Sequence, residues 1–290
     1  MAVIVNMACG LANRMFQYSY YLYLKKLGYD VCVDFYTTAK LAHEHVEWES
    51  VFPHAPICQA SGFDIFRTGG GSDLFSKVRR RYFGRGCKLK YTSSAFDVYL
   101  PDKDVSLIYV TGVFQNAGMV DYVRKEVEEA FAFPMFPDGR NLALAREMQK
   151  CQSVAIHVRK GKDYASRHWY TGTCPVDYYL SAVELMKTRL DAPRFYVFTD
   201  NPDWVRENFT GFAYTLVTGN PVAGPGNHYD MQLMSLCRHN IISNSTYSWW
   251  GAYLNRHDDK IIVAPDVWFN PESCKEYRSE KIICRNWFVL

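Results

Sequence analysis

Residues 229–255 read YDMQLMSLCRHNIISNSTYSWWGAYLN and hold one architectural unit. A helix is predicted over Tyr229–Arg238, an apolar strand over Asn240–Ser243, and a second helix over Tyr247–Asn255, with Asn244, Ser245 and Thr246 between the last two. The same rhythm runs upstream. Ser153–Val158 is an apolar strand ending in charge at Arg159. Pro175–Leu190 is a helix with proline in its first turn and an apolar stripe at Tyr179, Val183, Met186 and Leu190. Phe195–Thr199 and Tyr214–Val217 are strands on either side of a short helix from Asn201 to Asn208, and Lys260–Ala264 is a further strand downstream. Alternating strands and helices make an α/β fold with parallel sheets, whose ligands bind beyond the carboxyl ends of the strands.

The first half repeats the pattern less regularly. Ala2–Val5 is a strand, a turn follows through Ala8–Leu11, and a helix from about Asn13 to Leu27 stops at Gly28. Val31–Asp34 and Ser106–Val113 are strands, and Val120–Phe131 is a helix with Val123, Val127 and Phe131 on its apolar face. The stretch from His43 to Pro101 has little periodicity. Two prolines and a glycine in Phe133–Arg140 mark a boundary, giving units 1–140 and 141–290.

Composition narrows the functional classes. A chain of 290 residues suits two packed domains, and 48% hydrophobic with 22% charged residues suits a globular protein. The 33 Lys plus Arg against 30 Asp plus Glu leave a net charge of +3, too small a field to argue for nucleic acid. No apolar run reaches the length of a membrane span. Nine scattered cysteines without a CxxC pair, read as buried thiols, point to a reducing cytoplasm. The histidines form no zinc pattern, and there is no GxSxG elbow. Asp102-Lys103-Asp104 has the shape of a metal-diphosphate motif, but it precedes a strand and reads as structural. The run Lys77–Lys90 carries seven Lys or Arg in fourteen residues, a solvated face or a weak attraction to an anionic membrane.

Four stretches at strand ends carry candidate chemistry. In His157-Val158-Arg159 the two polar side chains share one face, and an arginine leaving a buried strand can fork onto phosphate. Asp200, before Asn201-Pro202, can hold a hydroxyl, orient another residue or cap the helix, and capping is the expected role. Asn244–Thr246 offer hydroxyls and backbone N–H groups at a helix start, where the dipole favours an anion. The turn through Asn13 and Arg14 lacks the GxGxxG spacing of a dinucleotide loop.

Together these stretches resemble glycosyltransferase family 11, the bacterial α1,2-fucosyltransferases. Residues 9–18, CGLANRMFQY, look like the family's GGLGNQMFQY; HVRKGKDY from His157 looks like HxRxGDY; FTDNPDW from Phe198 looks like FSDDxxW; and residues 230–254 nearly match its most diagnostic block. The resemblance implies two Rossmann-like lobes of GT-B type, with an acceptor-side first lobe and a GDP-sugar site toward the second. It implies transfer of fucose from GDP-fucose to a terminal β-galactoside such as lactose, with inversion and without a metal or other cofactor.

By the same pattern Arg159 holds the β-phosphate, His157 and Asp230 read guanine, and Asn244, Ser245 and Thr246 bind phosphate. Asp163 is the first candidate for general base and Asp200 the second, while Asn13, Arg14 and Tyr164 position acceptor or fucose. The sequence departs from the family at Cys9, Ala12 and Arg14, and by one extra residue before Asp163. Because alanine tolerates positive φ poorly, the turn at Ala12 is expected to change shape. Two alternatives are the same fold with another GDP-sugar or linkage, and a non-catalytic sugar- or nucleotide-binding protein.

Overall fold

The computed structural model describes residues 2–36, 47–71, 74–83, 88–104, 106–161 and 166–290. The chain divides into two compact units, 1–134 and 135–290. The division falls inside the proline-rich stretch, six residues before the expected boundary, because Gly139–Met148 is already a helix of the second unit, capped by Asp138.

The first unit is built on four parallel strands: β1 (Ala2–Asn6), β2 (Asp30–Asp34), β3 (Leu89–Tyr91) and β4 (Leu107–Thr111), in the order β2-β1-β4-β3. The apolar runs VIV and LIYV are buried, as strands covered on both faces require. The helix Leu11–Lys26 joins β1 to β2 and ends where Gly28 takes φ 84, a left-handed conformation that glycine adopts without penalty. The expected helix over Val120–Phe131 is two, Ala117–Tyr122 and Arg124–Ala130, broken at Val123; Val123, Val127 and Phe131 are all buried. Phe131 packs with Tyr18, Trp48 and Phe52 in an aromatic cluster.

The second unit carries six parallel strands: β5 (Ser153–Val158), β6 (Arg194–Thr199), β7 (Tyr214–Val217), β8 (His239–Ile241), β9 (Ile262–Ala264) and β10 (Phe288–Val289). Their order is β10-β9-β8-β5-β6-β7. From β5 the chain runs outward through β6 and β7, then crosses to the other side for β8, β9 and β10. The reversal lies between β5 and β8, and there the connections leaving the two strands diverge and leave room for a ligand. In the first unit the equivalent reversal lies between β1 and β4.

Helix packing fixes what stands at that reversal. The helices Tyr229–Leu236 and Thr246–Tyr253 meet at Gly251, where a Cβ would lie 2.9 Å from the Met234 Cβ. Trp249 and Trp250 are fully buried; the Trp249 indole donates to the Ile282 carbonyl at 2.6 Å and stacks on Tyr253. This tryptophan pair is therefore core. It anchors the helix whose first residues reach the strand ends.

His239, at the opposite end of β8, is buried. Its Nδ1 accepts the Ile261 N–H at 2.9 Å, so the ring carries its proton on Nε2, 2.9 Å from Gln152 Oε1. Burial pushes its pKa down to about 4. An unfolded histidine titrates near 6.5, so as pH falls the unfolded chain takes the proton first and native stability is lost from about 6.5 down to about 4. Between about pH 7 and 4.5 the wild type should lose on the order of 1–2 kcal/mol more stability than His239→Gln in urea denaturation. Parallel losses would show that this imidazole does not couple to folding.

Candidate functional site

All six residues of β5 are buried, and the strand ends by delivering His157 and Arg159 to the carboxyl edge. Parallel register sets Val158 beside Thr199, which brings Arg159 next to Asp200 at the end of β6. Arg159 Nη1 lies 2.8 Å from Asp200 Oδ2, and the Lys160 N–H donates to Asp200 Oδ1 at 2.8 Å. Both carboxylate oxygens are thus engaged, Oδ1 by a hydrogen bond and Oδ2 by the ion pair. The helix Pro202–Asn208 is capped by Asn201 instead, whose Oδ1 accepts the Trp204 N–H. This corrects the capping expectation for Asp200. Asn201 also donates to the Lys160 carbonyl, so the turns after β5 and β6 are tied together.

His157 is buried, with Nδ1 2.8 Å from Ser243 Oγ at the end of β8. Burial first, and then the Arg159 charge, push its pKa down to about 3, so the ring is neutral across the physiological range. Lys160 points back into the protein, donating to the Thr173 carbonyl at 3.0 Å and lying over Trp204; burial lowers its pKa.

After β8 the chain turns into the helix Thr246–Tyr253. Ser245 is its N-cap, accepting the Tyr247 N–H at 3.3 Å. Ser245 and Thr246 are partly exposed at that helix start, where unpaired N–H groups and the dipole suit an anion. Asn244 faces the other way. Its Nδ2 donates to Thr173 Oγ1 and the Trp268 carbonyl, and its Oδ1 accepts from Cys174. The side chain is buried and used up in holding the loop, which corrects its expected phosphate contact.

Asp230 stands in the first turn of Tyr229–Leu236. Its Oδ1 accepts from Asn220 Nδ2 at 2.7 Å; Asn220 in turn exchanges hydrogen bonds with Asn141, which is held by Asp138. Burial raises the Asp230 pKa, while the Asn220 bond and the Arg140 charge pull it back. Tyr247 connects this helix to the strand edge: its hydroxyl accepts the Met231 N–H and donates to the Asn227 carbonyl, and its ring lies 5.8 Å from that of His157. Asn141 and Asn220 carry no sequence signal beyond a turn-forming Asn-Pro pair at Asn220. Asp163 and Tyr164 lie outside the described residues.

In the first unit, Gln17 bridges the loops after β1 and β4. It accepts the Ala8 N–H at 2.9 Å and donates to the Gly112 carbonyl at 2.8 Å. Asn13 is partly exposed beside this bridge and accepts from Gln115 Nε2 at 3.2 Å. Arg14 is only 1% exposed; its Nε donates to the Cys9 carbonyl and its guanidinium lies over Phe35. It therefore braces the turn from inside, which corrects the expectation of a charge presented to an acceptor. The strained residue of the turn is Cys9, at φ 72, whereas Ala12 is ordinary helix. Cysteine usage also differs from expectation: of the eight described cysteines only Cys174, Cys237 and Cys284 are buried. Asp102 and Asp104 are exposed ahead of β4, and no three His, Cys, Asp or Glu side chains gather as metal ligands among the described residues.

Comparison with known proteins places this geometry in context. WbnK of Escherichia coli, an O-antigen biosynthesis glycosyltransferase, is 32% identical over 167 residues, 54% of this chain and 53% of its own length. An alpha-1,2-colitosyltransferase of Escherichia coli is 26% identical over 293 residues, covering 95% of both chains. Galactoside alpha-(1,2)-fucosyltransferase 1 of Aotus nancymaae is 25% identical over 58% of this chain and 44% of its own. The chain thus spans about half of two of these relatives and nearly all of the third. The solved structure of the fucosyltransferase NodZ from Bradyrhizobium superposes with a TM-score of 0.52 over 86% of this chain and 90% of that one, at 13% identity. The fold is α/β of GT-B type, with two Rossmann-like units. The profile of glycosyl transferase family 11 matches residues 103–290, from just ahead of β4 through the whole second sheet, and the chain belongs to that family.

Proposed function

We propose that the chain is an inverting galactoside 2-α-L-fucosyltransferase, moving fucose from GDP-fucose to the 2-hydroxyl of a terminal β-galactoside. The observation that carries the reading is the Arg159–Asp200 pair across the ends of β5 and β6, on the same carboxyl edge as the helix start at Ser245 and Thr246 after β8. Family membership and relatives named for α1,2 transfer agree with it. Breaking the sugar–phosphate bond builds negative charge on GDP. A guanidinium already aimed by Asp200 and a helix N-terminus stabilise that charge without moving. In this reading they take the role that a divalent cation plays elsewhere, and no metal is required.

Asp230 supplies the guanine contact. An ionised carboxylate accepts from both N1–H and N2–H of guanine, which uracil and adenine do not offer. Neutral His157, beside Tyr247, is the second residue assigned to guanine in this reading. The attacking hydroxyl comes from the face opposite GDP, and a general base removes its proton; Asp163 remains the candidate. Nucleotide-sugar chemistry of this kind fits the cytoplasm. A second reading, transfer of colitose, is favoured by the relative whose match covers 95% of both chains.

The direct test incubates GDP-fucose and lactose with the protein in EDTA and determines the linkage of the product. A 2-linked fucosyl-lactose is expected; GDP-colitose consumed in preference to GDP-fucose would select the second reading. Arg159→Ala should lower kcat by about 10²–10³ with an unchanged melting curve, and Asp200→Asn by a smaller factor. Activity within a few-fold of wild type in Arg159→Ala would remove the phosphate role.

Asp230→Ala should weaken GDP binding by about 1–3 kcal/mol and leave UDP binding nearly unchanged. The raised carboxyl must be ionised to bind guanine, so calorimetric GDP affinity should fall as pH drops, beginning above the usual carboxylate range. Asp230→Asn should abolish that pH dependence, and equal loss for both nucleotides would exclude base reading.

A further inference from the structure

The helix Leu74–Phe83 is used by nothing described above. Arg80 docks it: its Nη1 donates to the carbonyls of Gly69 at 2.6 Å and Gly71 at 2.9 Å. At about 100° per residue, the side opposite Arg80 carries positions 74, 78 and 82. Those positions are Leu74, Val78 and Tyr82, which are 71%, 44% and 70% exposed. An apolar stripe four residues apart normally faces a core. This one faces out because the polar arginine has taken the inward side.

The charged side chains of this helix are all cations. Lys77 and Arg81 flank it and are exposed, and Arg79 lies over the exposed ring of Phe66 on the neighbouring helix Gly62–Thr68. Phe63, further along that helix, is exposed beneath Arg67. From residue 74 to residue 96 the sequence contains seven Lys or Arg and no Asp or Glu. Exposed cations such as Lys77 and Arg81 repel a basic surface and attract an anionic one. Exposed leucine, valine and aromatic side chains additionally require a place to leave water.

We propose that this face is a membrane-docking surface, with Leu74, Val78 and Tyr82 entering the boundary of a bilayer and Lys77 and Arg81 meeting anionic headgroups. A short helix with an outward apolar stripe bordered by cations lies in the plane of such an interface. No helix of the described residues is long and apolar enough to cross a membrane, so attachment is peripheral. The inference is independent of the transferase reading, because neither the sugar nor the nucleotide enters it.

The test is co-sedimentation of the full chain with phosphatidylcholine vesicles, with and without phosphatidylglycerol. Binding is expected only with the anionic lipid, weakening as salt is raised to about 0.5 M, where screening shortens to a few ångströms. Each well-placed cation is worth about fivefold in partitioning, so Lys77→Gln with Arg81→Gln should lower it by about tenfold or more. Val78→Ser with Tyr82→Ser should weaken binding to the same vesicles. Both double variants should melt with the wild type, since the altered side chains are exposed. Equal sedimentation with both vesicle types, or wild-type binding by both variants, would overturn the proposal. Binding to heparin as tight as to vesicles, with the serine variant unaffected, would also overturn it and make the surface a general polyanion site.

Discussion

One ion pair organises the carboxyl edge of the second sheet: Arg159 against Asp200, across the ends of two adjacent parallel strands. A guanidinium emerging from a fully buried strand has few directions open to it, and an unaimed cation would spend time in solvent. The carboxylate from the neighbouring strand fixes it. The Lys160 N–H holds the second oxygen, so the carboxylate is itself fixed. Preorganised charge of this kind stabilises a developing anion without the reorganisation that water requires.

The surrounding structure keeps that edge polar but ordered. His157 is too deeply buried to ionise and is tied to Ser243, so the ends of β5 and β8 are joined by a neutral contact. Tyr247 reaches from one helix start to the next and links the His157 ring to the turn that carries Asp230. Behind Asp230, the amides of Asn220 and Asn141 form a relay back to the helix cap at Asp138. His157, Arg159 and Asp230 are each held by a neighbouring strand end or turn, so the edge is ordered.

Much of this was legible in the sequence because strands buried on both faces are written as unbroken apolar runs. Ser153–Val158 and Tyr214–Val217 were bounded to the residue, and the polar strand ends followed from them. The strands Leu89–Tyr91 and Phe288–Val289 have no legible signal. Two or three residues carry no periodicity, and their conformation is set by the register of a neighbour. Asp200 reads as the cap in the sequence; strand register sets it against Arg159 and leaves the cap to Asn201. Asn244 and Arg14 look like ligand residues in the sequence because they are polar and stand in motifs. Tertiary contacts turned both inward, onto Trp268 and Cys9. Asn220 went unread because its partners lie 10 and 79 residues away, a pairing that local pattern does not encode.

The most direct measurement is a crystal structure of the protein with GDP in metal-free buffer. The β-phosphate should lie within hydrogen-bond distance of the Arg159 guanidinium and the Ser245–Thr246 helix start, with the guanine edge on Asp230. A diphosphate bound away from Arg159, or ordered only when a divalent cation is added, would contradict the preorganised, metal-free site.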